Sequence, residues 1–175
     1  MKYMEIMAII YDIKKEYIKA VDAYETLIRE DGVIPDYHIN LSFLYWSFAF
    51  ELYEFTIPNN IPEYWVKKGG EEFLKVLDLG IEKYPKDIEL HFWERYFLHI
   101  SYAENFTEKE CLDLFDLYGY KNKTPYFFLY QYDNIKYRKQ RDELLDIIKG
   151  EETAKNLYIK SLVFINKMLM LKIKF

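Results

Sequence analysis

The residues best suited to hold a metal fall in one stretch, LHFWERYFLHI, which carries His91, Glu94 and His99. Imidazoles and carboxylates are ordinary zinc ligands, and two of them on one helix share an ion when they are three or four residues apart. His91 and His99 are two helical turns apart, too far to share an ion, and the chain has only 3 histidines. Paired carboxylates at Glu30-Asp31, Glu71-Glu72 and Glu151-Glu152 have the chemistry for general acid–base work. Each pair, however, stands where a helix is expected to begin or end, and there an acidic side chain complements the helix dipole or is simply solvated. Cys111 is the single cysteine, which excludes an intramolecular disulfide and fits a reducing compartment. No histidine lies near it in sequence to activate it as a nucleophile. The chain has no GxSxG, phosphate-binding loop, GxGxxG or HExxH. These residues predict no enzyme, no metal and no cofactor.

A second kind of chemistry is suggested by KYRKQR. Lys136, Arg138, Lys139 and Arg141 lie close to Tyr130, Tyr132 and Tyr137, and basic residues interleaved with aromatics can bind single-stranded nucleic acid. Asp142, Glu143 and Asp146 answer those charges at helical spacing, so a solvated face or internal docking is the expected role. The net charge of −5 is unevenly distributed. Residues 1–60 carry five basic and ten acidic side chains, residues 61–120 seven and thirteen, and residues 121–175 twelve and six. A long acidic part with a basic C-terminal third favours a basic protein partner and repels phosphates.

The N-terminal MKYMEIMAIIYDIKKEY lacks the long apolar stretch of a signal peptide. The most apolar run, near residues 162–171, is broken by Asn166 and Lys167 and is too short to span a bilayer. A cytoplasmic protein without membrane contact is expected. Half of the residues are hydrophobic, enough for one domain of 175 residues to bury a sizeable core. The 18 tyrosines and 13 phenylalanines fit a low-GC genome better than a dedicated contact surface.

The elements that must position these groups are helices. Apolar spacing predicts helices over about 3–13, 16–29, 36–55, 62–84 and 88–102, with Gly69-Gly70 bending or interrupting the fourth. Thr107-x-x-Glu110 is a capping box opening a sixth helix that ends near Gly119. A short helix with Pro125 in its first turn follows, then one near 135–149, then a last helix from about Glu151 to Lys172. No strand pattern competes.

The first 45 residues have the spacing of a helix–turn–helix repeat and the start of its next copy. Met4, Met7, Ala8 and Tyr11 share one helical face; Tyr17, Ala20, Val21, Tyr24 and Leu27 share another; after Pro35, HINLSFLY begins the first pattern again. Phe73, Leu77, Gly80 and Pro85 repeat the second-helix pattern, and Leu90, Trp93 and Phe97 the first. This resembles the tetratricopeptide repeat over residues 1–50 and, less closely, 70–98. The resemblance implies an all-α, right-handed superhelix of about eight or nine helices. Residues 1–102 would form repeat-like pairs and residues 103–175 an irregular helical cap.

The resemblance also implies a concave partner-binding face lined by the first helix of each pair. Its residues would be Glu5, Ile9 and Asp12, then Asp36, Ile39, Phe43 and Trp46, then His91, Arg95 and His99. The implied function is a non-enzymatic protein-binding module. Within that class, charge points to a cytosolic immunity protein that neutralises a basic bacterial toxin. The alternative is a nucleic-acid-binding or regulatory protein using the basic third.

Overall fold

The computed structural model describes residues 2–30 and 34–172, with side chains for all of these except 2, 5 and 165–172. Among the described residues there are nine α-helices, one short π-helical turn and no strand. The helices are α1 (Lys2–Ile13), α2 (Tyr17–Arg29), α3 (Pro35–Phe50), α4 (Glu63–Lys83), α5 (Ile88–Tyr102), α6 (Glu108–Tyr118), α7 (Tyr126–Tyr132), α8 (Arg138–Ile147) and α9 (Ala154–Lys172). The π-helical turn, Leu52–Thr56, links α3 to the loop before α4. No helix among the described residues is long and apolar enough to cross a membrane.

Successive helices pack on one another from α1 through α8, and α9 then returns to lie against α3 and α7. Local sequence explains the individual elements. In α2, Tyr17, Ala20, Val21, Tyr24 and Leu27 are buried, one stripe at helical spacing. Pro35 opens α3, where its missing N–H and fixed φ do no harm. Every α3 residue from Tyr37 to Phe48 is buried, because α2, α4, α5 and α9 surround this helix. A helix apolar around most of its circumference is stable only in such a setting.

Helix α3 is shorter than its apolar run suggests. It ends at Phe50, and the chain tightens into the π-helical turn, where Phe55 and Thr56 both donate their N–H to the Glu51 carbonyl. Thr56 Oγ1 donates back to the Phe48 carbonyl at 2.8 Å, satisfying a carbonyl at the helix end.

Gly69-Gly70 do not interrupt their helix: α4 runs unbroken from Glu63 to Lys83. Gly69 serves close approach instead, since a Cβ there would run into the Tyr45 carbonyl oxygen of α3. Gly80 does the same at the other end, where a Cβ would lie 2.8 Å from Leu90 Cδ2 and 3.0 Å from His38. Small residues at both places let α3 and α4 run side by side.

The capping box at Thr107 and Glu110 forms in full, with both reciprocal hydrogen bonds. Pro125 precedes α7 as its cap residue rather than entering the first turn. Helix α9 begins at Ala154, three residues later than expected, after Thr153, whose hydroxyl accepts from Asn156 N–H. Tyr158, Ile159 and Val163 carry α9 into the same core as Trp93, Phe97 and Phe127. Each such large apolar side chain contributes roughly 2 kcal/mol by leaving water.

Candidate functional site

The aromatic part of the expected partner face is interior. Ile39, Phe43 and Trp46 are buried, and α9 lies over the last two. The Tyr158 ring sits 5.4 Å from both Phe43 and Trp46, and its hydroxyl pairs with that of Tyr96 at 2.8 Å. Trp46 Nε1 donates to Ser101 Oγ at 2.8 Å, so its one polar atom is also satisfied inside. These aromatic residues, which the resemblance places on a concave partner face, are covered by the chain's own last helix. These three residues are core, not surface.

His91, Arg95 and His99 lie on a separate stretch of α5, facing the turn into α6. His91 Nε2 pairs with the Pro85 carbonyl at 3.0 Å, and its ring stacks on Tyr118 at 4.2 Å. His99 Nδ1 pairs with the Glu104 carbonyl at 2.7 Å. Arg95 donates to the Asn105 carbonyl at 2.8 Å and pairs with Glu104 at 3.3 Å. The third histidine, His38, is buried against the Val76 carbonyl at 3.1 Å. Each imidazole is thus engaged by backbone. Among the described residues, no group of three or more His, Cys, Asp or Glu is arranged to hold a metal ion. Cys111 is buried, and burial pushes its thiol well above the ordinary value, away from the nucleophilic thiolate.

Ile9 and Asp36 do come together. They line a cleft of about 320 Å³ formed by α1, the start of α3, the start of α5, the α6–α7 loop, the end of α8 and the start of α9. That volume is at the small end for a ligand pocket. Its wall includes Glu89 and Lys155, a buried ion pair at 2.6 Å. Burial pushes the Glu89 carboxyl up, but the Lys155 ammonium, with donors from Asn122 at 2.6 Å and Trp93 Nε1 at 3.2 Å, holds it below its ordinary value. Burial opposes the Lys155 charge as well, and Glu89 outweighs it and raises that ammonium. Both shifts describe an ion pair that stays ionised.

Asp12 lies behind this wall, 1 % exposed. It is not a partner-facing residue. Its carboxylate accepts from the Ala154 N–H at 2.7 Å, so it caps α9 from α1. Burial pushes its pKa up to about 7, against the Ala154 N–H and Lys155, which favour the charged form. Asp36 stays exposed at the mouth of the cleft; partial burial raises its carboxyl, Lys155 opposes this, and Glu89, Asp87 and Glu151 add to it. Glu5, the tenth expected residue, has a side chain outside the described residues.

Glu89, Asn40, Asn122 and Asn156 were not readable as site residues. Glu89 carries the one available signal, an acid in the first turn of a helix whose neighbours Ile88, Leu90, Phe92 and Trp93 are all core. An acid embedded in an apolar face needs a buried cation or donors. The asparagines offer no such signal. No family model, curated protein or solved structure matches this chain.

Proposed function

We propose that this protein is a non-enzymatic binding module for a basic protein partner, and most specifically a cytosolic immunity protein that neutralises a basic toxin domain. We propose with it that α1–α5 stack as tetratricopeptide-like pairs, a reading supported by their sequential packing. The observation that carries the functional reading is the fate of the charges. Four cations of the basic third are engaged within the molecule: Lys155 with Glu89, Lys136 with Glu108 at 2.8 Å, Lys123 with Glu143 at 3.0 Å, and Arg141 over the Tyr130 ring at 4.2 Å. The acidic excess is not. Asp22, Glu30, Glu54, Glu63, Glu71, Asp78 and Glu82 are exposed and form no ion pair among the described residues. An acidic exterior speeds encounter with a basic partner and excludes nucleic acid.

The nucleic-acid alternative loses its main support on the same grounds. Of the cations in KYRKQR, Arg138 and Lys139 are exposed and form no ion pair among the described residues, and Asp142, Glu143 and Asp146 share their surface. Affinity purification from the native host, followed by co-expression with the captured protein, tests the reading. The expected result is a basic protein whose toxicity is lifted by co-expression and whose association slows steeply with salt. Capture of nucleic acid, or of an acidic protein bound without salt dependence, overturns it.

A further inference from the structure

We infer that the cleft between α1, α5 and the start of α9 is a recess for one guanidinium or ammonium group, bound by the Asp36 and Glu151 carboxylates and by the side-chain carbonyl oxygens of Asn40 and Asn156. Where that group is a side chain of a polypeptide, the inference rests on the basic-partner reading and names what the partner inserts.

Two observations carry it independently. The first is an orientation. Asn40 and Asn156 line the cleft, are 7 % and 4 % exposed, and carry Oδ1 atoms that meet no donor among the described residues. The Asn156 amide cannot be turned to remedy this. Asn156 Nδ2 donates to the Glu151 carbonyl at 3.0 Å, and a carbonyl only accepts. Asn40 Nδ2 donates to the Tyr24 hydroxyl at 3.4 Å. As placed, both asparagines offer acceptors, and a buried acceptor without a donor is costly.

The second is charge. Once Glu89 is matched with Lys155 and Lys123 with Glu143, Asp36 and Glu151 remain at the mouth against Lys121 alone. Two N–H groups at the start of α9, which elsewhere would attract an anion, are already taken. Ala154 N–H is taken by Asp12 Oδ1 and Asn156 N–H by Thr153 Oγ1. Acceptors and a carboxylate excess call for a cation with several N–H donors. The cleft's small volume admits a side-chain-sized group rather than a nucleotide.

The test is titration of the full chain with Nα-acetyl-arginine amide, its neutral isostere Nα-acetyl-citrulline amide, and agmatine as a free amine, read by calorimetry and by the side-chain amide NMR signals of Asn40 and Asn156. A cation should bind saturably and move both amide signals, and citrulline should not. Asp36→Asn with Glu151→Gln should weaken the cation by at least about tenfold, as loss of charge-assisted bonds does. Lys121→Gln should tighten it. Preference for the capped arginine assigns the group to a polypeptide; preference for agmatine assigns it to a free amine. No saturable binding of either cation, equal binding of citrulline, or an unchanged affinity in the double variant overturns the recess. These titrations use no partner, so their failure leaves salt-dependent capture of a basic protein standing, and failure of that capture leaves the recess standing.

Discussion

The Asp12 carboxylate accepts a hydrogen bond from the backbone N–H of Ala154 at 2.7 Å, joining the first helix to the last across 142 positions of sequence. This bond sets the start of α9, and α9 in turn covers Phe43 and Trp46. The relation also carries a pH dependence. Burial raises Asp12 from 3.8 to about 7, so the folded protein holds the proton more tightly than the unfolded chain. The contribution of this group is therefore most favourable at acid pH, is lost as pH rises from about 4 through about 7, and is constant beyond. Asp12→Asn keeps the acceptor and removes the charge. It should match wild type near pH 4 and be more stable at pH 8, by a few kcal/mol on the scale of about 1.4 per pKa unit. Urea melts across that range check the sign; a variant less stable than wild type at pH 8 would show that the ionised carboxylate is what α9 requires.

Much of this architecture was legible before folding. The stripe of α2 and the capping box of Thr107 follow from local spacing and residue type, and each forms where expected. The closing of the groove was not legible, and neither was the cleft. Lys155 and Lys160 look alike in sequence; only the return of α9 sets Lys155 against Glu89, 66 residues away. Asp12 lies on the α1 face assigned to partners, and the same return buries it. Gly69 illustrates the limit from the other side, since helix propensity marks it as a break and only the nearness of α3 explains why a glycine sits in an unbroken helix.

Close approach of α4 to its neighbours gives a second prediction. Gly80→Leu must displace Leu90 and His38, and Ala20→Leu must find room at a fully buried site. Each should lower stability by about 1–3 kcal/mol through overpacking. Thermal melts indistinguishable from wild type would mean that these helices do not meet as described.

The buried ion pair gives a third. Lys155→Met leaves the Glu89 carboxylate buried with only the neutral donors of Asn122 and Trp93. Breaking such a pair from one side costs about 3–5 kcal/mol. Adding Glu89→Gln removes the stranded charge and should recover a good part of that loss. Chemical denaturation of the two variants decides it: a double variant no better than Lys155→Met would show that the lysine acts by packing rather than by charge.

The last prediction concerns what α9 covers. Tyr158 touches Phe43, Trp46 and Tyr96 at once, and its hydroxyl is matched by that of Tyr96. Burial pushes the Tyr158 hydroxyl well above its ordinary value, so it remains a neutral hydrogen-bonding group at any pH the protein tolerates. Tyr158→Ala opens a cavity among these rings and leaves the Tyr96 hydroxyl unmatched; a loss of about 3–5 kcal/mol follows from the aromatic deletion alone. Ending the chain after Gly150 is more drastic, because it removes Asp12's partner, Glu89's cation and the cover of the Phe43–Trp46–Tyr96 cluster together. The truncated protein should retain helix by far-ultraviolet dichroism, lose fixed aromatic signals and bind a hydrophobic dye. Trp46 fluorescence should shift to the red in step with dye binding, since water then reaches its ring. A truncated chain that stays monomeric and unfolds cooperatively would mean that α1–α8 form a self-sufficient core. Helix α9 would then be a detachable occupant of a groove that a partner helix could fill in its place.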